Sequence, residues 1–282
     1  MKESINKTFN HIKVHTQYSI CEGAVKIDQL KDFCKTNKIK SLGLSDTYNL
    51  SGALEFSENL SSIGTQPIIG TQILFKYKNF TGLIPIIAKN IEGYKNVIEL
   101  SSKSYLENSE TTNPHCNFDD LLNRSSGIIV LSGSIKCLIG SLYNKGLSNE
   151  INEIIGKLSE TFKNNFYIEI QRHNDVNEIE FENFNLNISK KFDLPIIATH
   201  EVYYLNQNMH EAHDALMCIR EKTYINDTNR LKLSDQHYFK SSDDMVELFK
   251  DLPEALENNF NLPFRCSFRP LPSKPILPNI SS

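Results

Sequence analysis

The run Gly127-Ile128-Ile129-Val130-Leu131 is apolar at nearly every position, and it constrains the fold more than any other segment. A strand with one wet face alternates between apolar and polar residues. A strand that is apolar throughout is covered on both faces, as in a parallel sheet flanked by helices. Shorter or similar strand patterns occur at residues 11–14, 41–44, 67–75, 82–88, 167–171 and 195–199. Amphipathic stretches at 27–36, 51–61, 91–105, 134–143, 149–163 and 176–191 lie between them. In the fifth of these, Ile151, Ile154, Ile155 and Leu158 recur at helical spacing. Strand and helix alternating in this way predict an α/β fold, either a barrel of parallel strands or a doubly wound sheet. Polar residues follow many of the strands, and this favours the barrel, because an open sheet gathers its site at one switch point.

After residue 206 the texture changes. Helical patterns cover 209–221, 242–250 and 253–260, and Ser241-x-x-Asp244 resembles a capping box. The segment Arg269-Pro270-Leu271-Pro272-Ser273-Lys274-Pro275-Ile276-Leu277-Pro278 cannot form a helix or ladder, since proline lacks the donor. It reads as an extended connector. The expected organisation is one domain over 1–270 and a proline-rich connector over 271–282, leading to a further part of a longer polypeptide.

The formal charge of −4 gives no electrostatic footprint for wrapping nucleic acid. The six cysteines form no C-x-x-C pair and are expected to be reduced thiols in the cytoplasm. No apolar run is long enough for a membrane span, and the first residues do not form a signal peptide.

The candidate chemistry lies at strand ends. His11, Lys13 and His15 share one face of the first strand. A His-x-His pair there would present two imidazoles to a metal, but Lys13 brings a cation without a lone pair. Asp46 follows an apolar strand and is either a carboxylate ligand or a turn residue. Glu169 and Gln171 share a face that His173 continues. Glu201 and Tyr203 share another, and His200 points away from it. His210 and His213, three apart in a helix, could form a metal pair or simply an ordinary helix face. Phosphate-loop, dinucleotide-turn, H-E-x-x-H and G-x-S-x-G motifs are all absent.

Taken in order, these segments resemble a known family. Phe9-Asn10-His11-Ile12-Lys13-Val14-His15-Thr16-Gln17-Tyr18-Ser19 is similar to the opening of the PHP (polymerase and histidinol phosphatase) domain found in bacterial DNA polymerase III alpha subunits. Ser45-Asp46-Thr47-Tyr48-Asn49-Leu50-Ser51-Gly52, Pro67-Ile68-Ile69-Gly70-Thr71-Gln72 and Ala88-Lys89-Asn90 with Gly93-Tyr94 resemble its next motifs. Tyr167-Ile168-Glu169-Ile170-Gln171 with His173, and Ile197-Ala198-Thr199-His200-Glu201-Val202-Tyr203-Tyr204-Leu205, follow in the family's order. Leu233-Ser234-Asp235-Gln236-His237-Tyr238-Phe239-Lys240 resembles the segment that leads to the polymerase core.

The resemblance implies a distorted seven-stranded (β/α) barrel and, in intact members, a trinuclear metal cluster that hydrolyses phosphoesters. By that comparison His15, Asp46 and His173 stand at metal-ligand positions, with Glu201 where the family has Asp. Lys13, Thr47, Gln72, Leu83 and Tyr203 stand where ligands have been lost. No full cluster is then expected, and at most one weakly held divalent ion (Mg, Mn or Zn). The implied role is a non-catalytic scaffold of a replicative polymerase. It would pack on the polymerase thumb and can carry the docking surface for a proofreading exonuclease subunit. The nucleotidyl-transfer palm would lie beyond residue 282, and DNA would be met only through the rest of the polymerase. The rival reading is a metal-dependent phosphoesterase or exonuclease working through the reduced site. Within the pocket, Lys13 is expected to take the place of a lost metal, with its ammonium near Asp46 or Glu201.

Overall fold

The barrel is organised around four strands that carry its apolar runs: Ser41–Thr47 (β2), Gln66–Tyr77 (β3), Phe80–Ala88 (β4) and Ile128–Leu131 (β6). The computed structural model describes residues 8–108 and 112–274. The remaining strands are Lys13–Val14 (β1), Cys116–Asn117 (β5), Phe166–Ile170 (β7), Ile196–Ala198 (β8) and Glu201–Val202 (β9). Eight of the nine form one path, β8-β7-β6-β4-β3-β2-β1-β9, and β5 pairs with β3 outside it. The two ends of that path are separated in sequence by Thr199 and His200 alone, so the sheet curls into a half-barrel.

The α/β architecture matches the expectation, but two details differ. Among the described residues the strands number nine rather than seven, and they are not all parallel. β3 and β4 form an antiparallel hairpin, with Tyr77 opposite Phe80, and β4 runs antiparallel to β6. The turn is Lys78-Asn79, with Lys78 in the left-handed region (φ 53°). Such a turn reverses the chain without a crossover helix. The other extra elements are β5 and the helix that follows it, Phe118–Asn123, which starts with a reciprocal capping box between Asn117 and Asp120.

The helices pack outside. Ile27–Thr36 and Ala53–Ser61 cover β1–β3 through an apolar cluster that includes Val14, Leu30, Leu44 and Phe56. In Ser148–Phe162, Ile151, Ile154, Ile155 and Leu158 are buried, as their spacing requires. Gly43 allows the closest approach in the sheet. A Cβ there would lie 2.4 Å from the Ile12 carbonyl oxygen, where the Gly43 amide donates to the His11 carbonyl at 2.8 Å.

Inside the curl, Ile12, Ile68, Ile87, Ile129, Leu131 and Ile197 form a separate apolar layer, and Leu262 and Cys266 close it from below. The chain then runs beneath the barrel. Gln66 Nε2 donates to the Pro263 and Cys266 carbonyls, both at 2.9 Å, and Ser57 Oγ donates to the Pro270 carbonyl at 2.8 Å. Residues 271–274 of the expected connector have no regular structure, and its remainder lies outside the described residues. All six cysteines are free, and none of the described helices is long and apolar enough to cross a membrane.

Candidate functional site at the barrel mouth

Above the apolar layer the interior turns polar. Lys13 pairs in register with Glu201 between β1 and β9, which sets its side chain beside the mouth. Its Nζ lies 3.1 Å from Glu169 Oε1 and 3.3 Å from Glu201 Oε1, and the three side chains are 1%, 0% and 6% exposed. Neither contact is aligned as a hydrogen bond, so the attraction is chiefly between charges. Burial opposes the ammonium, but Glu169 and Glu201 more than offset it and hold Lys13 above the ordinary lysine range. Burial likewise works against an ionised Glu201, while Lys13 and His15 hold its carboxyl well below the usual range.

Glu201 Oε1 is the hub of the site. His15 Nε2 stands 3.1 Å from it, and Gln72 Nε2 donates to it at 2.5 Å. Tyr203 stacks on the His15 ring, with centroids 4.4 Å apart. His15 Nδ1 faces Ser19 Oγ at 3.2 Å and Thr47 Oγ1 at 3.5 Å. Glu169 Oε1 accepts from Gln171 Nε2 at 2.8 Å and from the Thr199 hydroxyl. Its Oε2 is buried without a partner among the described residues.

Asp46 is near this group but is turned to other partners. Its Oδ1 accepts from the Thr16 amide at 2.6 Å and from Ser19 Oγ at 2.8 Å, and its Oδ2 accepts from Thr16 Oγ1 at 2.8 Å. Burial raises its carboxyl, and these donors counter that only in part. This carboxylate fastens the loop after β1, so it is not the turn residue that its position allowed. His173 is committed as well. Its Nε2 accepts the Glu201 amide at 3.0 Å, and its Nδ1 stands 3.2 Å from Glu178 Oε1. Burial pushes its imidazole well below the ordinary histidine range.

The expected ligand residues are therefore only partly united. His15 and Glu201 touch, whereas Asp46 and His173 spend their ligating atoms elsewhere. Among the described residues, no group of three or more His, Cys, Asp or Glu side chains is arranged to hold a metal ion. Of the positions of lost ligands, Lys13 and Gln72 contact the hub, and Thr47 and Tyr203 contact His15 beside it. Leu83 is half-buried and pairs with Leu74, whereas the register partner of Gln72 is Pro85. Lys13 reaches Glu201 as expected, and Asp46 is not its partner.

Sequence reasoning noticed Glu169 by its parity with Gln171 but gave it no role. The site also includes Cys137, whose Sγ lies 3.9 Å from Gln72 Oε1. Burial pushes this thiol up to about 11, although Lys13 pulls the other way, so it is protonated at neutral pH. Nothing in its local sequence marks it. His210 and His213 do not form a metal pair: His213 Nε2 faces the Glu22 carbonyl at 2.8 Å, and His210 Nδ1 faces the Tyr204 hydroxyl at 3.3 Å. His200 is buried at the seam, with its Nε2 2.9 Å from the Tyr238 carbonyl.

Comparison with known proteins places this geometry in context. A family profile described as "PHP domain" matches residues 11–173. The DNA polymerase III subunit alpha of Caulobacter vibrioides is 33% identical over 288 residues, covering 99% of this chain and 25% of that protein. The same subunit of Rickettsia bellii is 34% identical, covering 97% and 24%. That of Haemophilus influenzae is 33% identical, covering 92% and 23%. The chain thus spans about a quarter of the length of these relatives. Among solved structures, a Bifidobacterium adolescentis protein described as a metal-dependent phosphoesterase aligns with a TM-score of 0.46 and 12% identity, covering 85% of this chain and 94% of that one.

Proposed function

The chain belongs to the PHP domain family and is homologous to the N-terminal region of DNA polymerase III alpha subunits, and on that footing we propose that it serves a bacterial replicase in the cytoplasm as a scaffold rather than as a hydrolase. The observation that carries this reading is the Lys13 ammonium between Glu169 and Glu201. Without that cation, a metal ion or a proton would be needed to keep two buried carboxylates from repelling each other. A lysine performs that electrostatic task but cannot bind hydroxide or polarise a phosphoester as a metal does. The commitments of Asp46 and His173 support the same conclusion, since regaining them as ligands would break contacts at the β1 loop and the β9 amide.

In this reading the domain packs on the polymerase thumb and palm of the same polypeptide and can dock a proofreading exonuclease. Nucleotidyl transfer and DNA contact belong to the rest of the subunit. The rival reading, a phosphoesterase or exonuclease with a reduced site, needs His15 and Glu201 to recruit further ligands. Incubation of the purified 282-residue chain with bis(p-nitrophenyl) phosphate and with single-stranded DNA, in Mn2+ and in Zn2+, separates the two. The scaffold reading expects no turnover above buffer. Turnover lost on Asp46→Asn substitution would favour the hydrolase.

A further inference from the structure

Where the chain enters β1 and β2, and apart from Lys13 and Glu201, lies a cavity of about 250 Å3. It opens between residues 8–11, the loop before β2 and the segment 239–242 that crosses the seam. We propose that this cavity is a binding site for a nucleoside monophosphate, with the base inside and the phosphate at the rim.

Three features correspond to three parts of such a ligand. The interior offers an apolar, aromatic wall, since Phe33 and Phe239 line it, packed on each other with ring centroids 4.8 Å apart and planes tilted by 56°, and Ile39 lines it as well. A purine or pyrimidine ring gains from packing against aromatic faces. The rim carries Lys38 and Lys40, both exposed, and among the described residues no acidic residue lines the cavity. In a chain of net charge −4, a locally cationic opening selects anions. The third feature is His11, which also lines the cavity and is 3% exposed. Its Nε2 faces the Lys240 carbonyl at 2.9 Å and must donate there. That leaves Nδ1 as a bare acceptor, buried and without a partner among the described residues. Burial lowers this imidazole to about 4, so the ring is neutral at physiological pH and Nδ1 keeps its lone pair.

A buried acceptor without a partner is costly unless a donor meets it. The exocyclic amine of an adenine or cytosine base is such a donor, and a ligand without an N–H or O–H group offers none. The volume lies just below the usual range of small-molecule pockets. It suits one base with its sugar and excludes an oligonucleotide.

Calorimetric titration of the 282-residue chain with adenosine 5′-monophosphate, adenosine and ribose 5-phosphate tests the proposal. The expected result is one saturable site for adenosine monophosphate, with at least about ten-fold weaker binding of each fragment. The double variant Lys38→Glu/Lys40→Glu alters exposed positions only. It should retain the parent circular dichroism and bind the monophosphate at least about ten-fold more weakly. No saturation below about 5 mM, or equal affinity for ribose phosphate, or undiminished binding to the charge-reversed variant, would each overturn the assignment.

Discussion

Replacing Lys13 by methionine keeps most of the side chain's volume and removes only the charge. At 3.1 and 3.3 Å, each carboxylate attracts the ammonium by roughly 5 kcal/mol at an effective dielectric constant of about 20. Desolvating each ion costs several kcal/mol, so the intact triad contributes little net stability. Removing the cation alone is a different matter, because it leaves two buried carboxylates facing each other. The expected loss is about 3–5 kcal/mol, or a fall in Tm of about 10 °C for a domain of this size.

The pH dependence carries a definite sign. In the parent, the Glu201 pKa is depressed on folding. Its contribution is therefore present above the unfolded carboxylate pKa and lost only as pH falls through the lower folded value. Without Lys13, burial raises the Glu201 carboxyl instead, and the variant gains stability as pH falls. The gap between parent and Lys13→Met should be widest near about pH 8 and narrowest near about pH 5. Thermal unfolding followed by circular dichroism measures it, with exposed Lys35→Ala as a control expected to shift stability by less than about 0.5 kcal/mol. Adding Glu201→Gln to Lys13→Met should restore part of the loss. A Lys13→Met variant within about 1 kcal/mol of the parent at pH 8 would refute the reasoning.

Gly43→Ala should destabilise by about 2 kcal/mol or more in urea unfolding, because its Cβ would meet the Ile12 backbone at 2.4 Å. Burial raises the Glu178 carboxyl to about 7. The folded state thus holds this proton more tightly than the unfolded state does, and stability should decline as pH rises from about 4.5 to about 7. Glu178→Gln should flatten that part of the stability curve, and an unchanged slope would show that Glu178 is not its source.

Helix Ile27–Thr36 was legible from periodicity alone, and so were the buried strands β2, β3 and β6, because their side chains report burial directly. The hairpin was not, because Lys78-Asn79 lacks the glycine that usually announces a two-residue turn. The break between β8 and β9 was hidden for another reason. The strand read at 195–199 stops at Ala198, and no local signal showed that two residues later Glu201 leaves the β7 side for a β1 partner. Strand parity correctly directed Lys13 and His15 inward. It could not show that His173 would accept the Glu201 amide, or that Glu169 would be the second partner of Lys13, since both depend on how distant strands come together.

The central claim is that a lysine occupies the electrostatic place of a metal cluster, and metal stoichiometry tests it most directly. The 282-residue chain would be exposed to excess Mn2+ and Zn2+, dialysed, and analysed by mass spectrometry for bound metal. The account predicts fewer than about one ion per chain, with no fall in Tm on adding a chelator. Two or more ions per chain, lost together on Asp46→Asn substitution, would contradict it.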